Sequence, residues 1–181
     1  MKGIIFTEFL EMVEEHFGME IADNIIEHSK LQSGGIYTSI GTYDFNEMVA
    51  LISELHKEVG IPVNDLLYTF GKYLFNGLGA AHPEVIANYS NPIGLLYSIE
   101  DHIHVHVRKL YPDAELPTFH ILEKSERHLS MVYSSSRGLY ALAHGLIEKT
   151  FDHFDTTSQV TYELLEKDGT RVKFDIVQNG E

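Results

Sequence analysis

The spacing of apolar residues changes near residue 111 of this chain, and that change limits the folds it can adopt. Before Pro112, apolar side chains recur every three or four residues, as they do over residues 6–17. This spacing is typical of helices that bury one face. Beyond Pro112 the apolar residues alternate with polar ones, as in residues 119–123 and 128–133, which is typical of strands. Helices followed by strands predict an α+β fold.

Capping and turn residues indicate where the predicted helices and strands begin and end. Asp44 followed three residues later by Glu47 predicts a capping box that opens a helix. Asp168-Gly169 is a strong hairpin signal between two strands. The pattern predicts helices over residues 6–17, 21–28, 45–59, 64–78, 93–111 and 139–150, and strands over residues 119–123, 128–133, 159–165 and 170–177. Residues 77–92 are predicted as a loop with at most a short helical turn.

The predicted organisation is a single domain of residues 1–181 with two lobes. Residues 1–60 form a helical lobe, and residues 61–181 form a lobe of helices and a four-stranded antiparallel sheet. A length of 181 residues fits one domain with a substantial core.

Charge and composition exclude several classes of function. The chain carries 13 Lys and Arg against 27 Asp and Glu, a net charge of −14, which would repel a phosphate backbone. Nucleic acid is therefore not an expected partner. The chain has no run of about 18 apolar residues, so membrane insertion is not expected. Glutamates interrupt the N-terminal segment where a signal peptide would be apolar, which favours a cytoplasmic location.

Three of the 11 histidines lie within five positions, at His102, His104 and His106. On a regular helix His102 and His106 share one face, while His104 points the opposite way. The residue types leave three interpretations open: ordinary surface histidines, a zinc pair formed by His102 and His106, or a single ligand at His104. The zinc pair lacks the glutamate of an HExxH motif, because residue 103 is Ile.

A second cluster follows the predicted strand that ends at Tyr133. Tyr133, Ser135 and Arg137 are alternate residues, so an extended segment would turn the three side chains the same way. Two hydroxyl donors and a guanidinium suit carboxylate groups. Taken alone, the same residues also fit a core tyrosine, a serine near a helix start and a surface arginine.

The spacing of these elements resembles that of the haem nitric oxide/oxygen binding (H-NOX) family. Twelve residues separate His104 from Pro117, and fifteen separate Pro117 from Tyr133. The resemblance runs from the opening Met1-Lys2-Gly3-Ile4-Ile5 to the final strands. It implies a stand-alone sensor domain that encloses one haem b. The chain has no cysteine, which excludes thiolate ligation of the iron.

The resemblance also assigns the residues of the site. It implies that His104 is the iron ligand, that Pro117 presses on the porphyrin, and that Tyr133, Ser135 and Arg137 bind the two propionates. Oxygen-binding relatives carry a distal tyrosine nine residues after the position of Tyr133, where this chain has Leu142. Tyr140 is two residues away and on another face. The implied distal residues are all apolar: Ile5, Phe9, Leu74, Leu142 and Leu146.

These residues imply a sensor without catalysis of its own. An apolar distal pocket favours NO, and also CO, over O2, because bound O2 requires a hydrogen-bond donor. The resemblance implies a separate partner, either a histidine kinase or a cyclic-di-GMP enzyme. Two alternatives remain: a zinc- or haem-dependent enzyme that uses the histidine-rich helix, and a module that binds a lipid or peptide without metal. The enzyme would need a distal acid–base pair or a complete ligand set.

Overall fold

Helices make up the first 110 residues, and the sheet follows with one helix between its two pairs of strands. The computed structural model describes residues 1–180. The helices are α1 (Gly3–Phe17), α2 (Met19–His28), α3 (Phe45–Val59), α4 (Val63–Ala81), α5 (Pro83–Ile86), α6 (Pro92–Tyr97), a π-helical turn (Ile99–Ile103), α7 (His104–Leu110) and α8 (Tyr140–His153). The strands are β1 (Thr118–Lys124), β2 (His128–Ser134), β3 (Ser158–Leu164) and β4 (Arg171–Gln178). The predicted α+β class is confirmed.

The four strands form one antiparallel sheet in the order β1-β2-β4-β3. The two central strands supply its buried face, where Met131 of β2 is paired with Phe174 of β4. The predicted hairpin joins β3 to β4. Gly169 has a φ of +75° there, and the Asp168 side chain accepts hydrogen bonds from the backbone and hydroxyl of Thr170. An Asp-Gly pair supplies both features of this turn.

The helix predicted to begin at Asp44 is present, but its capping differs from the prediction. The Asp44 carboxylate accepts a hydrogen bond from the backbone N–H of Asn46 at 2.9 Å. The capping box itself is wrong, because Glu47 is buried and accepts hydrogen bonds from Ser33 and Tyr37. Glu47 therefore holds the loop between α2 and α3 rather than the start of its own helix.

The loop predicted over residues 77–92 starts too early, because α4 continues through Gly77 and Gly79 to Ala81, but the short helical turn expected within it is present as α5. A Cβ on Gly77 would lie 1.9 Å from the Glu8 carboxylate of α1. The glycine thus lies inside the helix beside a side chain of α1, and it does not mark a turn. In the stretch predicted as one helix over residues 93–111, α6 and α7 are separated by the π-helical turn.

Helices α4 and α8 approach each other at backbone distance. A Cβ on Gly71 would lie 2.2 Å from the carbonyl oxygen of Leu142, and a Cβ on Gly145 would lie 2.1 Å from that of Tyr68. Side chains larger than hydrogen at these two positions would force the helices apart. The two glycines therefore determine where the side chains of α8 lie relative to α4.

The molecule has two hydrophobic clusters that meet at α8. One is formed by α1–α4 and includes Ala141, and the other is formed by α6, the sheet and the α8 residues Ala143, Ile147 and Phe151. The division into lobes near residue 60 stays a prediction, and the last residue of the predicted domain, Glu181, lies outside the described residues. Within residues 1–180, no helix combines the length and apolar character that crossing a bilayer requires.

Candidate functional site

His104 is the first residue of α7 and is buried, with 8% of its surface exposed. Its Nδ1 atom lies 2.9 Å from the Oε1 atom of Glu100, one turn earlier on the π-helical segment. The same Oε1 atom accepts a hydrogen bond from the backbone N–H of Phe119 at 3.0 Å. Glu100 therefore connects the imidazole to the start of β1.

This contact prepares His104 to act as a metal ligand. A carboxylate at Nδ1 makes that atom the donor and leaves Nε2 free to coordinate. Burial lowers the pKa of His104 below its ordinary value of 6.5, although the Glu100 charge opposes this change. A neutral imidazole is the form that binds iron. Sequence reasoning missed Glu100, although a carboxylate four residues before a candidate ligand on a helix was a usable signal.

The neighbouring histidines have different surroundings. His102 is exposed, and its Nδ1 atom lies 3.3 Å from the Tyr89 hydroxyl oxygen. His106 is half-buried, and its Nε2 atom lies 3.5 Å from a carboxylate oxygen of Glu84.

Tyr133, Ser135 and Arg137 come together, but along a different backbone path from the one predicted. The strand ends at Ser134, and residues 135–138 form a turn in which the Arg137 N–H donates to the Ser135 hydroxyl at 3.2 Å. Gly138 completes the turn with a φ of +62°. The extended segment expected from the alternate spacing is therefore wrong. The turn still gathers the three side chains, which we call the clamp.

The electrostatics of the clamp favour an anion. Burial raises the pKa of Tyr133 above its ordinary value of 10.0, against hydrogen bonds from Ser135 and the Leu139 N–H and against the Arg137 charge. The phenol therefore keeps its proton at neutral pH and can donate it to an acceptor. Arg137 binds a carboxylate in this structure, since its Nη2 atom lies 2.5 Å from the Oε2 atom of Glu115. Glu115 is 81% exposed, and such a pair is readily exchanged.

Pro117 lies in a segment that is fixed on both sides. Before it, Glu115 contacts Arg137 through its backbone oxygen and its carboxylate. After it, the Phe119 N–H is bound to Glu100. The Phe119 ring lies 6.1 Å from the His104 ring and 5.7 Å from the Tyr133 ring. The segment thus connects the clamp to the imidazole, with Pro117 in the middle.

The five residues expected on the distal side pack against the α1–α4 cluster. Phe9 and Leu74 are fully buried there, at 0% and 1% exposure, whereas Ile5, Leu142 and Leu146 are partly buried at its margin. Leu142 and Leu146 lie one turn apart on α8, so they share a face. Partly exposed apolar side chains at the margin of a core suit the face of a large apolar group.

Tyr140 is directed away from these leucines. Its hydroxyl accepts a hydrogen bond from the Asn64 amide at 3.0 Å, and its ring lies 5.3 Å from that of Tyr162 on β3. The hydroxyl near Leu142 in sequence therefore lies at the start of α4. Together, a carboxylate-oriented imidazole, a carboxylate-binding clamp and an apolar margin fit a haem.

Residues 2–162 match the family model described as Haem-NO-binding. The structure is similar to that of the Fe(II) unliganded H-NOX protein from K. algicida, with a TM-score of 0.97, 49% sequence identity, and coverage of 100% of this chain and 98% of that one. It is similar to the H-NOX protein from S. oneidensis in the Fe(II)NO ligation state, with a TM-score of 0.92, 28% identity, and coverage of 99% and 100%.

A relative from an animal is similar over a shorter part of its length. Soluble guanylate cyclase gcy-35 of Caenorhabditis elegans is 24% identical over 159 residues, and the match covers 82% of this chain and 22% of that protein. The chain thus spans about a fifth of the length of this curated relative. The family match and the structural likeness agree with the geometry of the site. This chain belongs to the Haem-NO-binding (H-NOX) family of haem-based gas-sensor domains.

Proposed function

We propose that this domain holds one haem b through His104 and acts as a sensor of nitric oxide. The observation that carries the proposal is the pairing of Glu100 with the Nδ1 atom of a buried imidazole, at 2.9 Å, which leaves Nε2 free for iron. A neutral histidine of this kind is the ordinary axial ligand of a gas-binding haem.

The clamp would bind the haem propionates. Tyr133 offers a proton, Ser135 a hydroxyl and Arg137 a full positive charge that already binds the Glu115 carboxylate. In a chain with a net charge of −14, a local cation is needed to accept an anionic group. A propionate would compete with the exposed Glu115 for Arg137 because both offer a carboxylate.

The distal residues favour NO over O2. Ferrous haem binds NO tightly without help from a donor, and it binds CO in the same way, whereas bound O2 gains its stability from a hydrogen bond to its partial negative charge. Leu142 occupies the relevant position, and the Tyr140 side chain lies instead against Asn64 of α4 and Tyr162 of β3. The proposed pocket thus offers no side-chain donor to O2 from these two positions.

The signal would leave through α7 and the Pro117 segment. His104 is the proposed covalent tether, and Glu100 joins it to Phe119, two residues after Pro117. Loss of the tether on NO binding would free this segment and let the lobe of residues 1–60 shift against the rest. A ligand that favours one of two arrangements is sufficient for a domain with no catalysis of its own. The receiver would be a separate histidine kinase or cyclic-di-GMP enzyme, as the family resemblance implies.

Gas binding tests the first part of the proposal. We expect the ferrous protein to change its absorption spectrum with NO and with CO, and to form no persistent complex in air. A colourless protein that takes up no haem would overturn the assignment of the cofactor. A stable oxygen complex would overturn the preference for NO while leaving the haem site intact.

The proposed release of His104 is tested with a variant to which no NO is added. His104→Gly protein supplied with free imidazole retains an iron ligand that is no longer attached to α7. We expect its hydrogen exchange in residues 1–60 and around Pro117 to match that of NO-bound wild type. A pattern identical to that of unliganded wild type would show that release of His104 is not the trigger.

A further inference from the structure

Three potential metal ligands meet where the corner between α4 and α5 contacts α7. His82 occupies the corner, Glu84 lies in the first turn of α5, and His106 lies on α7. Their ligand atoms all lie within 4.8 Å of one another. The Oε1 atom of Glu84 is 3.6 Å from Nδ1 of His82 and 3.5 Å from Nε2 of His106. These residues come from two distant parts of the sequence, so only the fold brings them together.

The burial of one ring nitrogen of His106 distinguishes this cluster from ordinary exposed side chains. Its Nε2 atom is buried and has no hydrogen-bond partner among the described residues. Buried polar atoms in folded proteins are nearly always paired, and a metal ion shared with the Glu84 oxygen, 3.5 Å away, would give this atom a partner. The atom faces Glu84, and the His82 ring lies 6.0 Å from the His106 ring.

The distances suit a tetrahedral metal ion. With bonds of about 2.0–2.1 Å, two ligands of a tetrahedral zinc ion lie about 3.3 Å apart. The separations of 3.5 and 3.6 Å about the Glu84 oxygen need only a small contraction to reach that value. Glu84 is 60% exposed, whereas His82 is 23% exposed, so one side of the cluster is open to solvent.

We propose that His82, Glu84 and His106 bind a zinc ion, with water in the fourth position. Two imidazoles and one carboxylate are a ligand set that zinc uses in proteins when one position stays open. Harder ions such as Mg²⁺ prefer sets made of oxygen alone. His102 is not a ligand in this proposal, because its Nδ1 atom lies by the Tyr89 hydroxyl.

The ion would fasten the helix that carries the proposed haem ligand. His106 is two residues after His104 on α7, and His82 follows the last residue of α4. Zinc would therefore join the end of α4 to α7 on the side of the helix away from Glu100. The proposal uses none of the clamp or distal residues, so zinc binding tests it whether or not the protein takes up haem.

Zinc uptake by the purified protein, prepared without a histidine tag and treated with EDTA, tests the site. We expect about one zinc ion per chain in wild type and in the control His102→Ala. His82→Ala and His106→Ala should each weaken zinc binding by about 100-fold, and Glu84→Gln by about tenfold. Circular dichroism identifies variants that fail to fold, and Glu84→Gln alters only an exposed side chain.

X-ray absorption at the zinc edge supplies a second measurement. We expect two imidazole nitrogens and two oxygens at about 2.0–2.1 Å in wild type. The proposal is overturned if wild type takes up no zinc, or if all three variants bind zinc as tightly as wild type. It is equally overturned if His102→Ala abolishes binding while His82→Ala does not.

Discussion

The two sides of the proposed haem site are built from different kinds of contact. On the side of the sheet, Glu100 is hydrogen-bonded to His104 and to the Phe119 N–H, and Arg137 is hydrogen-bonded to Glu115. The Phe119 ring lies near the rings of both His104 and Tyr133. On the side of α1 and α4, the expected distal residues make apolar contacts alone. Directional contacts fix the position and orientation of a group, whereas apolar contacts only exclude water. The comparison suggests that one side positions the haem and the other determines which gas stays bound.

The largest effect is expected from the iron ligand itself. His104→Ala removes the only group that we assign to the iron, so haem content should fall more than about tenfold. Free imidazole should restore it, because a small cavity remains at the position of the ring. The Soret absorbance per chain measures this loss. His102→Ala is the matched control, and a normal Soret band in His104→Ala without imidazole would refute the assignment.

Sequence reasoning recovered the helices and strands more fully than the contacts between them. Helices, strands and the hairpin at Gly169 follow from local periodicity and turn chemistry, which short segments determine. Gly77 misled the prediction because a glycine inside a helix, beside a side chain of a neighbouring helix, looks the same in sequence as one that ends a helix. Whether a glycine faces a neighbouring helix depends on tertiary structure.

The contacts of Glu100 and Glu115 were missed for the same reason, because they too depend on tertiary structure. Glu100 reaches both His104 and Phe119, and the second of these contacts depends on how β1 lies against the π-helical turn. Glu115 reaches Arg137 across 22 positions of sequence. No periodic pattern connects residues so far apart. The resemblance located the clamp by spacing, although the extended backbone expected there proved to be a turn.

A smaller effect is expected at the clamp. Arg137→Ala removes a charged partner worth about 1.5–3 kcal/mol, so haem loss should accelerate by about 10- to 100-fold. Tyr133→Phe and Ser135→Ala remove neutral hydroxyls and should each change the rate only a few-fold. Transfer of haem to an apo-globin acceptor measures the rates.

Glu115→Gln is the control that isolates the charge of Arg137. This change removes the carboxylate that Arg137 binds in the structure but leaves the guanidinium in place. We therefore expect haem loss to be no faster than in wild type. Equal rates for Arg137→Ala and wild type would indicate that the propionates lie elsewhere.

Adding a hydrogen-bond donor to the apolar side would test whether that side determines which gas stays bound. Leu142→Tyr places a hydroxyl on the face of α8 that also carries Leu146, and a hydrogen bond of about 1.5 kcal/mol would raise O2 affinity about tenfold. Absorption spectra of the ferrous variant under increasing O2 pressure measure the affinity. Tyr140→Phe is the control and should change nothing, because that hydroxyl is bound to Asn64. An oxygen complex that forms in wild type and disappears in Tyr140→Phe would contradict the description of an apolar distal side.

The smallest effect is expected where the N-terminal lobe touches the segment that carries Pro117. Asp113 accepts a hydrogen bond from Thr42 at 2.6 Å and lies 3.4 Å from the Lys2 ammonium. The Lys2 ammonium also lies 5.2 Å from the centre of the Tyr111 ring. The Thr42 hydrogen bond and the Lys2 charge lower the pKa of Asp113 below its ordinary value of 3.8. The contact is therefore complete at neutral pH and is lost only as the pH falls below that value.

Asp113→Asn should loosen this contact and leave the haem site intact. We expect hydrogen exchange at the start of α1 and in residues 111–117 to accelerate by less than about fivefold, because an exposed ion pair contributes little. The difference from wild type should shrink in high salt, which screens the pair. Asp23→Asn makes the same change of charge on the exposed face of α2 and should leave the exchange of both segments unchanged. If Asp113→Asn matches wild type at low salt, the Asp113 contact does not couple the N-terminal lobe to the Pro117 segment, and the apolar contacts of α1 with α4 must carry the coupling.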